Sequence, residues 1–304
     1  MDFLAGTGTQ EDPWQIATPA HLNNIRLHNG AWYKLVNNID MESANWLPVP
    51  NFHGHIDGGG YAIHNFRCTH TDRDCGLIKN QSGGPITIKR LGIFGDSVGV
   101  SGGASYYNSY LIGLQTGGNL TIEDVVVRGP INYGGDRGAP VVGLAQNNTI
   151  TLRRVWADCI SSGTGIRTGP IYYRYNGTMV TESLYFGAGH SGANSGATEL
   201  SGPSVSNESS FIGFDFDALW LMTSQGPELG HLVVVGGNAT IAGSGAPVDN
   251  VAIRWWTSKR RAVVVQPNEA GDWTASVLVG EYDITYFATG CQPVCHGPYT
   301  FTQE

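Results

Sequence analysis

Four segments of this chain fall into one vertical register: Ile86-Thr-Ile-Lys-Arg-Leu-Gly-Ile93, Leu120-Thr-Ile-Glu-Asp-Val-Val-Val127, Ile150-Thr-Leu-Arg-Arg-Val-Trp-Ala157 and Met179-Val-Thr-Glu-Ser-Leu-Tyr-Phe186. Between the equivalent residues Ile88, Ile122, Leu152 and Thr181 the steps are 34, 30 and 29 residues. A repeat of that length belongs to stacked-coil architectures, in which each unit buries its apolar face against the next. Apolar residues such as Ile86, Ile88, Leu91 and Ile93 follow two period-two runs whose phase slips at a corner between them, so these side chains are expected to point inward. The residues before that corner read Lys89, Glu123, Arg153, Glu182, and those at it read Arg90, Asp124, Arg154, Ser183. Charge alternates wherever neighbours are both charged. At the strand spacing of about 4.8 Å, opposite charges stabilise and like charges destabilise by roughly 0.2–1 kcal/mol per pair.

Composition fits a many-cornered β protein. Of 304 residues, 43 are glycine and 14% are charged, against about 25% charged in an average domain. A net charge of −8 with no basic run argues against binding nucleic acid through phosphates. No apolar run is long enough to span a bilayer, so no membrane insertion is expected. The five cysteines, Cys68, Cys75, Cys159, Cys291 and Cys295, lack paired zinc-site spacing and are read mostly as reduced, buried thiols. No metal and no cofactor are expected. His53, His55 and His64 alternate near one corner but have no cysteine or carboxylate to complete a ligand set.

Residues 1–66 contain Gly6-Thr-Gly-Thr, Asp12-Pro-Trp-Gln-Ile16, a short helix from Pro19 to Asn29, Trp46-Leu-Pro-Val49 and Phe52-His-Gly-His-Ile-Asp-Gly-Gly-Gly-Tyr-Ala-Ile63. This order of anchors resembles the opening of GLUG-type right-handed β-helix modules of bacterial adhesins and bacteriophage surface proteins. Trp14, Leu22, Ile25 and Trp32 are expected to cap the end coil. Residues 67–235 are the β-helix body. Within it Glu208 to Trp220 and Gly226 to Leu229 resemble the family's closing coil, in which an aromatic pair and a tryptophan finish the core. A Gly/Ser-rich linker is expected at 236–247. Residues 248–304 alternate as a small antiparallel sandwich and resemble carboxypeptidase-regulatory-like, immunoglobulin-like modules. The expected fold is therefore all-β: a right-handed parallel β-helix followed by an immunoglobulin-like sandwich.

Polysaccharide-cleaving solenoids use two carboxylates about 5–9.5 Å apart. Glu123, Asp124 and Glu182 are absorbed by the charge ladders, leaving Asp136 and Asp158 as the catalytic candidates, neither with an evident partner. The register position of Gly92, Val126, Trp156 and Tyr185 is expected to face outward, making Trp156 and Tyr185 an exposed aromatic step near Tyr106, Tyr107, Tyr110, Tyr172, Tyr173 and Tyr175. Such aromatics suit a sugar face or a subunit interface. A chain starting at Met1 without an export signal, together with the family resemblance, points to a non-enzymatic bacteriophage virion protein (tail fibre, spike, tip or decoration). Its expected partners are a bacterial surface polysaccharide or other virion proteins, and it is expected to be a homo-oligomer, a trimer before other states. The alternatives are a tailspike depolymerase, a secreted adhesin and a purely structural virion component.

Overall fold

A computed structural model of the chain describes residues 2–70, 74–81, 83–99, 107–133, 137–162, 167–174, 176–188, 196–216, 218–230, 232–255, 261–278 and 280–301. It divides into two units, Met1–Phe214 with Met222–Leu229, and Asp215–Leu221 with Gly230–Glu304.

The first unit is a parallel β-solenoid of about four turns. Its long sheet stacks the strands Trp14–Ile16, Trp32–Leu35, His55–Asp57, Ile86–Val98, Leu120–Asn132, Thr149–Ser162, Thr178–Gly187 and Ala197–Leu200 in that order. The register matches the repeat: Ile88 lies beside Ile122, Ile122 beside Leu152, and Leu152 beside Thr181. The phase slip has a specific backbone cause. Arg90, Asp124, Arg154 and Ser183 all adopt left-handed φ of 50 to 55°, an uncommon conformation for residues with a side chain. Stacked copies of one strained residue bend each long strand at the same height, so the alternation restarts on a new face.

Each turn is completed by short parallel strands. Ile78–Gln81, Ile112–Gln115, Val142–Ala145 and Tyr172–Arg174 form one further sheet, and Tyr107–Asn108, Arg137–Gly138 and Arg167–Thr168 another. The lumen is filled by Ile88, Leu91, Ile93, Ile122, Val125, Val127, Leu152, Val155 and their neighbours, nearly all fully buried. Gly95 is required where it stands, because a Cβ there would lie 1.9 Å from the buried Tyr110 ring. At the N-terminal end Thr18 caps the helix Pro19–Asn24 by accepting from the His21 amide, and Ile25–Leu27 continues as a tighter turn. Leu22 and Ile25 are fully buried, and Phe3 stacks on Trp14 at 4.9 Å. The helix is thus shorter than expected. Trp32 corrects the cap reading: it sits on the outer side of its strand, stacked on His55 at 3.8 Å.

In the second unit Leu232–Asn238 pairs antiparallel with Asp272–Leu278. A separate antiparallel sheet runs Arg261–Val265, Asn250–Trp255, Gly280–Phe287, Val294–Phe301. Two small sheets around Val251, Ile253, Trp273, Ala275, Val277, Tyr282 and Ile284 are compatible with a sandwich. The segment read as a linker, 236–247, differs from expectation: Gly236 to Asn238 are paired strand, and Ala239 lies in the core. Its glycines signal a tight loop closing a strand.

Candidate functional site

Because the long strands bend at the corner, the solenoid offers an outer face before it and another after it. After the corner, Val125 and Val127 point into the lumen, and by alternation Val126 points out, as do Gly92, Trp156 and Tyr185 at the same height. The outward direction agrees with the sequence reading, but the exposure does not. Trp156 is 0% and Tyr185 7% exposed. Phe211 meets Trp156 edge-on at 5.3 Å and Tyr185 at 5.2 Å, and Phe214 meets Tyr185 at 5.7 Å. Gly226, at φ 100°, lies so close over the indole that a Cβ would come within 2.7 Å of Trp156 Nε1. The expected closing-coil aromatics therefore cover the outside of the coils.

The other aromatic candidates are also redistributed. Tyr110 is fully buried and its hydroxyl donates to the Pro130 carbonyl (2.8 Å), while Tyr172 is buried in the same core. Both correct the expectation of exposed rings: Tyr172 occupies an inward strand position, and Tyr110 turns into the core from the bend between Tyr107–Asn108 and Ile112–Gln115. Tyr107 and Tyr173 are half-buried. Tyr106, Tyr175 and the catalytic candidate Asp136 lie outside the described residues.

Asp158 lies one position further along the covered face. Its Oδ2 is 3.4 Å from Arg128 Nε, and Arg128 Nη1 donates to Glu228 Oε1 at 2.6 Å. Arg128 also donates to Gln225 Oε1 (3.1 Å) and the Gln225 carbonyl (2.9 Å), and lies over the Phe94 ring. Burial pushes the Asp158 carboxyl up, with Arg128 opposing. Two carboxylates do converge, a feature that Glu228's distance in sequence concealed, but they converge on a guanidinium that donates to three acceptor atoms and is ion-paired with Asp158. Such a cluster pins residues 225–228 to the coils.

The face before the corner is open. One outward column reads Trp32, His55, Thr87, Thr121, Thr151, Val180, and the adjacent one reads Lys34, Asp57, Lys89, Glu123, Arg153, Glu182. Charge alternates along the whole second column, two coils further than the repeat alone reveals. Arg153 bridges Glu123 at 2.8 Å and Glu182 at 3.3 Å, and Lys89 reaches Asp57 at 3.7 Å. At the corner itself Arg154 grips both oxygens of Asp124 (2.6 and 2.9 Å), and Arg90 does the same to Asp57. Burial raises the Asp57 pKa, yet hydrogen bonds from Arg90 and the Gly59 amide, with the Arg90 and Lys89 charges, hold it below the usual carboxylate value.

At the N-terminal end of this face Gln10, Pro13, Trp32, His55, Lys34 and Lys89 line a groove of about 330 Å³. The Thr87 amide donates to His55 Nδ1 (3.1 Å), so the neutral ring carries its proton on Nε2 and keeps a donor free. Burial lowers the His55 pKa, consistent with a neutral ring there. A larger cavity of about 710 Å³ in the second unit is lined by Ala239, Ile241, Val248 and Tyr286, with Cys291 and His296 among the other residues. Cys291 and Cys295 are exposed and not disulfide-bonded, whereas Cys68, Cys75 and Cys159 are buried, in line with the reading of most of the set as buried thiols. No group of three His, Cys, Asp or Glu side chains among the described residues could hold a metal ion.

No family model matches the chain, and no solved structure does. A protein of Evansella cellulosilytica named as a Gly-rich membrane protein is 33% identical over 136 residues, covering 41% of this chain. The match spans 15% of that relative's length. Among the described residues no helix is long and apolar enough to cross a membrane.

Proposed function

We propose that this chain is a non-catalytic attachment protein: a GLUG-type right-handed β-helix with an immunoglobulin-like module, carried on a bacteriophage virion and contacting a bacterial surface polysaccharide. The observation that carries this reading is the open face before the corner. Its groove sets the edge of a half-buried tryptophan beside a histidine donor and the Lys34 and Lys89 ammonium groups, a mixture of apolar surface and directed donors suited to a sugar ring. The depolymerase alternative is disfavoured because Asp158 and Glu228 share Arg128, which leaves neither positioned as a free acid or base. A bacterial cell-surface protein is the second reading, favoured by the membrane-protein name of the Evansella relative.

Incubating the protein with a panel of bacterial surface polysaccharides, and measuring bound protein and newly released reducing or unsaturated ends in the same tubes, tests the proposal. Retention without new ends is expected. Released oligosaccharides would overturn it and make Asp158 and Glu228 the first residues to replace.

A further inference from the structure

The groove beside Trp32 holds a positive charge that the chain itself does not neutralise. In the outer column Lys34 lies next to Asp57 in register, followed by Lys89 and Glu123. The acids of that column are already engaged. Asp57 takes Arg90 on both of its oxygens, accepts from the Gly59 amide at 2.9 Å and has Lys89 at 3.7 Å. Glu123 pairs with Arg153 at 2.8 Å. Glu11 and Asp12, on the loop that brings Gln10 and Pro13 to the groove, are exposed, and among the described residues Lys34 takes part in no ion pair. Lys34, Lys89 and Arg90 therefore share the single carboxylate of Asp57, a local excess of positive charge on a chain of net charge −8.

The second directed donor is uncharged. The Thr87 amide occupies His55 Nδ1 at 3.1 Å, which leaves the proton of the neutral ring on Nε2. The imidazole stacks on the Trp32 indole at 3.8 Å with an interplanar angle of 14°, and both rings are half-buried. An ammonium and an imidazole N–H beside a flat apolar wall match the two oxygens of a carboxylate carried on a sugar ring. A phosphodiester is served less well, because the guanidinium fork of Arg90, the group suited to it, is closed on Asp57.

We propose that this groove takes an acidic sugar, a uronate unit of a surface polysaccharide, with its carboxylate at Lys34 and His55 Nε2 and its ring against Trp32. The assignment rests on the attachment reading and narrows it to carboxylate-bearing polymers. Lys34 is exposed and unpaired, so it can meet such a ligand without giving up a partner, whereas a neutral sugar leaves its charge unused.

The test pairs a chemical change in the polymer with a change in the protein. Glucuronate-containing capsular polysaccharides are presented intact and after reduction of their carboxyls to alcohols, with a phosphodiester-linked teichoic acid alongside, to the whole protein and to Lys34→Gln and Lys34→Arg. Carboxyl reduction is expected to weaken retention of the unsubstituted protein about tenfold, the scale of one charge-assisted hydrogen bond. Lys34→Gln should lose as much on the intact polymer and nothing further on the reduced one, while Lys34→Arg keeps most of the binding and all three proteins melt together. Equal retention of intact and reduced polymers would overturn the acidic-sugar assignment and leave the attachment reading standing. Intact polymer held equally by Lys34→Gln would overturn the site, and teichoic acid held more tightly than the uronate polymer would overturn the carboxylate. Retention of no polysaccharide at all would overturn the attachment reading and this assignment with it.

Discussion

One solenoid presents two outer faces, and the chain treats them oppositely. After the corner, Trp156 and Tyr185 are sealed beneath Phe211, Phe214 and Gly226. Before the corner, Trp32, the threonines and the charged column remain at the surface. Large outward aromatics on a repeat therefore do not by themselves mark a contact site. What decides is whether the chain supplies its own cover, and here it covers the more apolar face and leaves the one built of hydroxyls and paired charges.

The contrast should be largest in stability. Trp156→Ala empties a fully buried site and should cost about 3–5 kcal/mol, read as a fall in the urea midpoint; Trp32→Ala, on the open face, should cost about 1 kcal/mol or less while reducing polysaccharide retention. Asp124→Asn comes next. It keeps a residue type that tolerates the left-handed backbone but removes the carboxylate held by Arg154, and a loss of about 1.5–3 kcal/mol is expected. Arg153→Glu places three acids in succession on the open column and should cost about 1–2 kcal/mol, an effect that shrinks in high salt and is partly restored by adding Glu123→Arg. The smallest effect is in pH dependence. Asp57 has a folded-state pKa below its unfolded value of 3.8, so the folded state binds fewer protons. Its contribution is present above that value and lost as pH falls through the lower one. Asp57→Asn should flatten this acid limb of a melting-temperature profile and leave the neutral region's slope unchanged.

Much of the solenoid was legible because stacking forces one residue class to recur at one height. The inward positions, the corner and the alternating charges all follow from that constraint. The cover did not, since Phe211, Phe214 and Gly226 come from a segment with no periodic signal and reach back to residues up to 70 positions earlier in the sequence. Tyr172 was misassigned because clustered tyrosines look like a surface when strand phase is ignored, and Tyr110 because it enters the core from a bend, where no alternation marks its direction. The open groove was missed for a different reason: Trp32–Leu35 and His55–Asp57 are too short to announce a repeat. Aligning Trp32-Tyr-Lys34 and His55-Ile-Asp57 with Thr87-Ile-Lys89 would have extended both outer columns. In the second unit alternation gave one sheet and the strand Asp272–Leu278 of the other, while Gly236 and Gly237 concealed that strand's partner, Leu232–Asn238.

The most direct test of the two-face account is hydroxyl-radical footprinting of the native protein with peptide-resolved mass spectrometry. The account predicts oxidation at Trp32 and protection of Trp156 until the protein is unfolded. Labelling of Trp156 in the native state as fast as that of Trp32 would contradict it.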